Sequence, residues 1–298
     1  MMSRRALAVL VLLASISSSA PAAPENPLDG APSRFAIFGG AKVHYKSLGT
    51  GTTALVFIHG WTCDLTFFRE QVPAFDGEIR LVLVDLPGHG KSDPAGSAYT
   101  MDLFAKAVDA VLKDARVSKA VLAGHSMGTP VARQFYRLFP EKTVGIVAVD
   151  GMLRLDVKPG QADVFLARYA GPDWRANQVK SIEGMFSAAT TPALRVKILA
   201  TMTSAPQEVV VGALKGMFDP AVWTDDPIGV PLFALYAKSP YWTAEYEAGV
   251  RKLAPQVRFV TIDGAGHFLQ LEKPAEVNAA LAAFLASGGW IAHRAASR

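Results

Sequence analysis

The sequence predicts an alternating α/β fold: a mostly parallel, doubly wound sheet with helices on both faces and a helical segment inserted late in the chain. Three observations lead there. Runs such as Thr53–Ile58, Ile79–Val84 and Thr143–Val149 are apolar almost throughout, as strands covered on both faces must be. Stretches of helical periodicity lie between the strand-like runs, as at Met101–Ala115. From about Met152 to Gly229 the strand-like runs stop, and helical patterns rich in Met, Phe and Trp take over.

Half of the 298 residues are apolar and 19% are charged, which suits one substantial domain with a large core and excludes a disordered chain. At the N-terminus, Arg4 and Arg5 precede the apolar run Ala6–Ile16, then Ser17–Ser19 and the small-residue sequence Ala20-Pro21-Ala22. This is the three-part pattern of a secretory signal, expected over residues 1–22, and the run is too short to span a bilayer comfortably. The expected location is periplasmic or secreted, without stable membrane insertion after cleavage; an uncleaved anchor is the alternative. Losing Arg4 and Arg5 with the leader brings the formal net charge from +4 to +2. No cluster of Lys and Arg interleaved with aromatics points to nucleic acid. Cys63 is the single cysteine, so an intramolecular disulfide is excluded, and the six histidines lack H-x-x-x-H spacing. No metal and no cofactor is expected.

Residues 23–33, rich in Pro and Ala, read as a flexible lead-in. Arg34–Phe38 and Lys42–Leu48 alternate around Gly39-Gly40 as an edge hairpin. Thr53–Ile58 ends in His59-Gly60-Trp61, with His59 read as structural and the Trp61 N–H as an oxyanion donor; Trp61, Phe67 and Phe68 wall the site or fill the core. Ile79–Val84 runs into the loop Asp85–Asp93, in which Asp85, His89 and Asp93 read as loop architecture. Met101–Ala115 is a helix opening at Thr100. Lys119–Ala123 is a strand leading into Gly124-His125-Ser126-Met127-Gly128, and Thr143–Val149 is a strand ending in Asp150-Gly151. Helices are expected at Ala162–Tyr169, Val179–Ala189, Ala193–Thr201 and Gln207–Met217. Pro231–Tyr236 restores the sheet, and Ala244–Leu253 is helical. The strand Val257–Ile262, the loop Asp263–Phe268 and the helix Pro274–Leu285 follow, with a frayed tail over Ser287–Arg298. The core is thus expected over 34–151 and 230–287, with a cap over 152–229.

The chemistry centres on Ser126. Strand, sharp turn and helix meet at a serine flanked by glycines two residues either side, which let strand and helix approach while the hydroxyl stands clear. The Met127 N–H begins the new helix without an intrahelical acceptor, so this corner offers a nucleophile and half of an oxyanion hole.

Four motifs in order resemble the α/β-hydrolase superfamily, in its capped serine-hydrolase, carboxylesterase-like branch. They are His59-Gly60-Trp61, Asp85-Leu86-Pro87-Gly88-His89-Gly90-Lys91-Ser92, Gly124-His125-Ser126-Met127-Gly128 and Gly264-Ala265-Gly266-His267-Phe268. The likeness covers about Arg34 to Ala286. It implies an α/β-hydrolase sheet with an inserted helical cap, Ser126 as nucleophile and His267 as the base that takes its proton. Relatives that open epoxides or displace halide carry aspartate where this chain has Ser126, which disfavours those reactions.

The chain departs from the pattern after Pro231–Tyr236, where Ala237-Lys238-Ser239-Pro240-Tyr241-Trp242 lacks the family's usual acid. Asp150, at the end of the preceding strand, is the leading third member; Glu245, Glu247, Asp263 or no acid at all are the alternatives. Trp61, Met127, Met185, Phe186 and Phe218 are the expected substrate-binding residues. Met202, Met217 and Trp223 either join them or hold the cap together. The implied activity is hydrolysis of a small, partly hydrophobic carboxylic ester through an acyl-enzyme. Lactone, amide, thioester or C–C bond substrates, acyl transfer and cofactor-free peroxidase chemistry are alternatives, and a ligand-binding protein on the same scaffold is the non-enzymatic one.

Overall fold

Gly39 and Gly40, with φ of 58° and 85°, supply the left-handed pair that a tight hairpin turn demands. They join β1 (Arg34–Phe38) to β2 (Ala41–Leu48) in antiparallel register, Arg34 opposite Tyr45 and Phe38 opposite Ala41. This computed structural model describes residues 25–155 and 160–292, so the expected signal segment lies outside the described residues.

β3 (Thr53–Ile58), β4 (Arg80–Val84), β5 (Lys119–His125), β6 (Thr143–Val149), β7 (Leu232–Ala237) and β8 (Arg258–Ile262) complete an eight-stranded sheet in the order β1-β2-β4-β3-β5-β6-β7-β8. β2 runs antiparallel to β1 and β4, and the remaining pairs are parallel. Alternation along the central strands feeds two cores. Val56, Leu122 and Ile146 point to one face, and Leu55, Phe57, Val121 and Val147 to the other. At the C-terminal ends of these strands Ile58 lies beside Gly124, and His125 beside Val149. That edge, where successive connections leave in opposite directions, is where an open α/β sheet collects functional loops.

α1 (Pro27–Gly30) corrects the expected flexible lead-in: Asn26 caps it, and Leu28 is buried with Phe68, Val72 and Phe75 in the second core. After a turn of 3-10 helix at Leu65–Phe68 comes α2 (Val72–Phe75). α3 (Met101–Asp114) starts where Thr100 Oγ1 accepts the Leu103 N–H and packs against α4 (Gly128–Leu138).

Between β6 and β7 lie α5 (Gln161–Ala170), α6 (Trp174–Glu183), α7 (Pro192–Met202) and α8 (Gln207–Phe218). α6 begins and ends about five residues earlier than its apolar spacing suggests. It stops before Gly184, and the Met185 carbonyl then accepts the N–H of His267 (3.3 Å) instead of continuing the helix. Both ends of the cap are tied to α4. The buried Arg133 guanidinium donates to Leu153 O (2.6 Å), to Thr224 O and to Asp226, while Arg137 adds bonds to Val222 O and Asp226.

α9 (Ala244–Leu253), the single turn α10 (Leu269–Glu272) and α11 (Pro274–Ser287) finish the fold. The expected frayed tail is partly corrected. The Trp290 ring fills the space beside Gly145, where an added Cβ would lie 2.7 Å from it, and Ile291 is buried; residues 293–298 lie outside the described residues. Among the described residues no helix is long and apolar enough to cross a membrane.

Candidate active site

Ser126 sits on the corner between β5 and α4 with φ of 52°, a left-handed conformation that costs an L-residue roughly 1–2 kcal/mol. Close backbone packing holds it there. A Cβ on Gly124 would fall 2.2 Å from Gly128 O, and one on Gly128 would fall 2.1 Å from Ile58 O. A Cβ on Gly151 would lie 2.0 Å from Thr129 Oγ1 and 2.6 Å from Ser126 O, and one on Gly60 would reach 3.0 Å from Ser126 Cβ. The ends of β3, β5 and β6 are therefore in van der Waals contact around the serine, and the Ser126 N–H donates to Val149 O (3.0 Å).

The loop after β3 comes against this corner through Gly60. Among the described residues, the N–H groups of Trp61 and Met127 donate to no backbone carbonyl outside regular elements, leaving both for a ligand. Their side chains are committed elsewhere: Met127 is fully buried, and the Trp61 indole donates to Val210 O of α8 (2.9 Å) and meets Tyr169 edge-on. Both positions present main chain, not side chain, at the corner. Phe67 and Phe68 are buried core residues.

His59 is structural, with one ring nitrogen on Gly60 O (2.8 Å) and the other accepting the Leu86 N–H (3.0 Å). Asp85 organises its loop: it accepts the N–H groups of Leu65 (2.7 Å) and Lys91 (2.9 Å) and pairs with His44 Nδ1 (2.7 Å). His89 Nδ1 binds Pro87 O, and Asp93 accepts the Lys42 N–H. A cavity of about 440 Å³ opens between this loop, the N-terminal segment and α7, but Ser126 and His267 do not line it.

The loop after β8 carries His267 to the serine corner. Its Nδ1 lies 2.8 Å from Asp150 Oδ2, and the other oxygen, Oδ1, accepts the N–H of Ala237 (2.9 Å) and the indole N–H of Trp242 (3.0 Å). The last residue of β7 and the carboxylate-free segment after it thus supply two donors to the carboxylate that follows β6. Asp150 is buried, and its φ of 44° turns the side chain across the strand ends. The other carboxylates are engaged elsewhere: Asp263 is exposed and pairs with Lys238 (3.1 Å), and Glu247 faces Arg251 (3.9 Å). Glu245 is an exposed residue in the first turn of α9.

His125 carries no signal in the sequence beyond its place beside Ser126. Its ring lies 4.8 Å from that of His267, and its Nε2 donates to His267 O (2.9 Å). Burial first, and the neighbouring His267 second, push its pKa well below that of a free imidazole. It therefore stays uncharged beside the His267 ring. Among the described residues the Ser126 hydroxyl makes no hydrogen bond to His267, whose Nδ1 is on Asp150 and whose carbonyl is held by His125.

Of the expected cap residues, Met185 meets the His267 loop through its carbonyl, and Phe186 packs toward Phe268 (6.1 Å between centroids). Phe218 instead packs on Phe165 of α5, Met202 and Met217 are buried, and Trp223 donates to Met217 O; these hold the cap together. Among the described residues no group of three or more His, Cys, Asp or Glu side chains is placed to hold a metal ion.

A family model described as "Alpha/beta hydrolase family" matches residues 55–280. The chain belongs to the alpha/beta hydrolase family. As a member it is a hydrolase with a small-molecule substrate. This alpha/beta hydrolase is similar to a thermophilic esterase structure from Thermogutta terrifontis, with 26% identity, a TM-score of 0.74, and coverage of 87% of this chain and 99% of that one. It is 26% identical to a protein described as a putative esterase/lipase from Haemophilus influenzae, over 81% of this chain and 86% of that protein. It is also 26% identical to the dihydrolipoyllysine-residue acetyltransferase component of an acetoin cleaving system from Pseudomonas putida, over 86% of this chain and 69% of that protein. Two further curated relatives are matched over only 40% and 36% of their own lengths.

Proposed function

We propose that this alpha/beta hydrolase is an exported serine hydrolase that cleaves a small, partly hydrophobic carboxylic ester through an acyl-enzyme on Ser126. The observation that carries the reading is the doubly committed Asp150 carboxylate. With Oδ1 held by Ala237 N–H and Trp242 Nε1–H, Oδ2 is fixed toward His267 Nδ1. That bond keeps the proton on Nδ1 and leaves Nε2 as a base for the Ser126 hydroxyl.

In the proposed sequence, Ser126 Oγ attacks the ester carbonyl while His267 Nε2 takes its proton. The oxyanion rests on the N–H groups of Trp61 and Met127, and Asp150 stabilises the imidazolium. His267 returns the proton to the departing alkoxide, leaving the acyl group on Ser126. Water, deprotonated by the same imidazole, releases the acid and restores the serine. The comparisons that support an ester substrate are the esterases described above.

Purified protein without residues 1–22 is expected to hydrolyse p-nitrophenyl acetate and butyrate and to react with a fluorophosphonate probe. Ser126→Ala should abolish both while circular dichroism is unchanged. A folded protein that neither reacts nor hydrolyses would support the ligand-binding alternative, and an active Ser126→Ala variant would remove Ser126 from the chemistry. Export is tested by N-terminal sequencing after bacterial expression; a mature chain beginning at Ala23 is expected, and an intact N-terminus would contradict it.

A further inference from the structure

One carboxylate outside the proposed triad is bonded at once to the histidine loop and to the cap. Glu272, the last residue of α10, accepts the N–H of Gly266 and the Ser187 hydroxyl (3.1 Å) on Oε2, and the Thr190 hydroxyl (2.5 Å) on Oε1. Gly266 immediately precedes His267, whereas Ser187 and Thr190 lie in the cap between α6 and α7. The same cap segment is bonded to the base directly, since His267 N–H donates to Met185 O (3.3 Å). It is also braced from its far side by Arg195, which donates to Thr190 O (3.0 Å) and Ser187 O (3.2 Å) and lies over the Phe186 ring. Space between loop and cap is closed, because a Cβ on Gly266 would lie 2.9 Å from Met185 O and 3.0 Å from Ser187 Cβ.

We infer that Glu272 is a positioning residue for His267 and the latch that couples the base to the cap segment Met185–Thr190. The inference rests on the reading of His267 as base. Three donors converge on one carboxylate, two from the cap and one from the residue before the base. Charge-assisted bonds of this kind are about twice as strong as neutral ones, so the carboxylate fixes the loop more firmly than backbone contacts alone. His125 Nε2 holds the His267 carbonyl from the nucleophile side; Glu272 fixes the chain one residue earlier from the cap side. Displacement of a reacting group by about 1 Å costs on the order of 10²-fold in rate, and this sets the scale of the effect.

Three variants of the otherwise intact mature protein test it. Glu272→Ala is expected to lower kcat for p-nitrophenyl butyrate, and the rate of Ser126 phosphonylation by a fluorophosphonate, by about 10²-fold. Glu272→Gln keeps an acceptor for Gly266 N–H and a donor for Thr190 Oγ1, and should recover both to within about tenfold of wild type. Ser187→Ala/Thr190→Val leaves the Gly266 bond intact and loosens the cap segment alone, where it also removes the acceptors of the Ser187 and Ala189 N–H groups; it should raise KM about tenfold with kcat within threefold, an order-of-magnitude split for lost ground-state positioning. Wild-type kcat and labelling in folded Glu272→Ala would overturn the positioning role. An unchanged KM in the double variant would overturn the coupling to the cap. If Glu272→Ala fails to fold, the Gln and double variants decide: a Gln variant as slow as Ser126→Ala, or a double variant that behaves as wild type, overturns the inference. Failure of the Ser126 reading is seen separately, as an active Ser126→Ala protein.

Discussion

Replacing Asp150 by Asn exchanges one carboxylate oxygen for an NH₂ in a setting where the surroundings dictate how the new group sits. The Asp150 Oδ1 position faces two donors, Ala237 N–H and Trp242 Nε1–H, and the Oδ2 position faces His267 Nδ1. If the amide nitrogen took the Oδ1 position, the buried Ala237 N–H would lose its acceptor at about 1–3 kcal/mol, and the half-buried Trp242 indole would lose its own. If it takes the Oδ2 position, those bonds survive and the cost passes to one imidazole, which re-tautomerises so that Nδ1 accepts and Nε2 carries the proton. The second arrangement wins, and it removes the base that the proposed mechanism requires on the face toward Ser126. Amidating the acid of a serine triad in this way costs about 10⁴-fold in turnover, or about 5 kcal/mol of barrier. The assay is steady-state hydrolysis of p-nitrophenyl acetate by the mature protein, with thermal denaturation to confirm an intact fold. A folded Asp150→Asn variant within tenfold of wild-type kcat would refute the argument, because neither a loss of charge beside the imidazolium nor a wrong tautomer is compatible with so small an effect.

Gly128→Ala places a methyl group 2.1 Å from Ile58 O; it should destabilise the fold by about 2–4 kcal/mol and lower Tm on the order of 10 °C, and an unchanged Tm would contradict the close packing at the corner. Arg133→Met strips donors from Leu153 O and Thr224 O at both ends of the cap, and limited proteolysis should then cut near these segments while wild type resists; identical digestion patterns would refute the clamp. Burial lowers the pKa of His59, His89 and His125, that of His89 to about 3. The unfolded chain therefore binds protons near pH 6.5 that the folded one does not, so this contribution is complete above about pH 6.5 and is lost as pH falls toward 3. The urea midpoint should drop between about pH 7 and pH 5, and a flat midpoint over that window would contradict it.

The strands were legible because being buried on both faces leaves a signature along the chain: Thr53–Ile58 and Thr143–Val149 are strands with the expected bounds. Short elements were not. The turns at Pro27–Gly30, Leu65–Phe68 and Leu269–Glu272 are too brief to show a period, and α1 forms where Asn26 reaches Arg69 O across the fold. The C-terminal end of α6 departs from its apolar spacing because the chain leaves the helix at Gly184 and Met185 O bonds to the His267 loop.

At the site, Ser126 announces itself because its corner is local, one glycine two residues to either side of it. The partner of His267 does not, since Asp150 and His267 are 117 positions apart and meet only after β6, β7 and β8 are laid side by side. The absence of a carboxylate after β7 was visible; that Ala237 and Trp242 would instead hold one arriving from β6 was not. His125 and Glu272 were hidden for the same reason, as their partners are a distant carbonyl and a distant pair of hydroxyls.

The central claim is that an acyl group passes through Ser126 while His267 and Asp150 manage the proton. Rapid mixing of the mature protein with excess p-nitrophenyl butyrate, acid quenching and peptide mass mapping addresses it most directly. The account predicts a nitrophenol burst of about one equivalent per chain and a butyryl adduct on the peptide containing Ser126, provided deacylation is the slower step. Adduct on any other residue, or an unmodified Ser126 when hydrolysis has been slowed enough for an acyl-enzyme to accumulate, would contradict it.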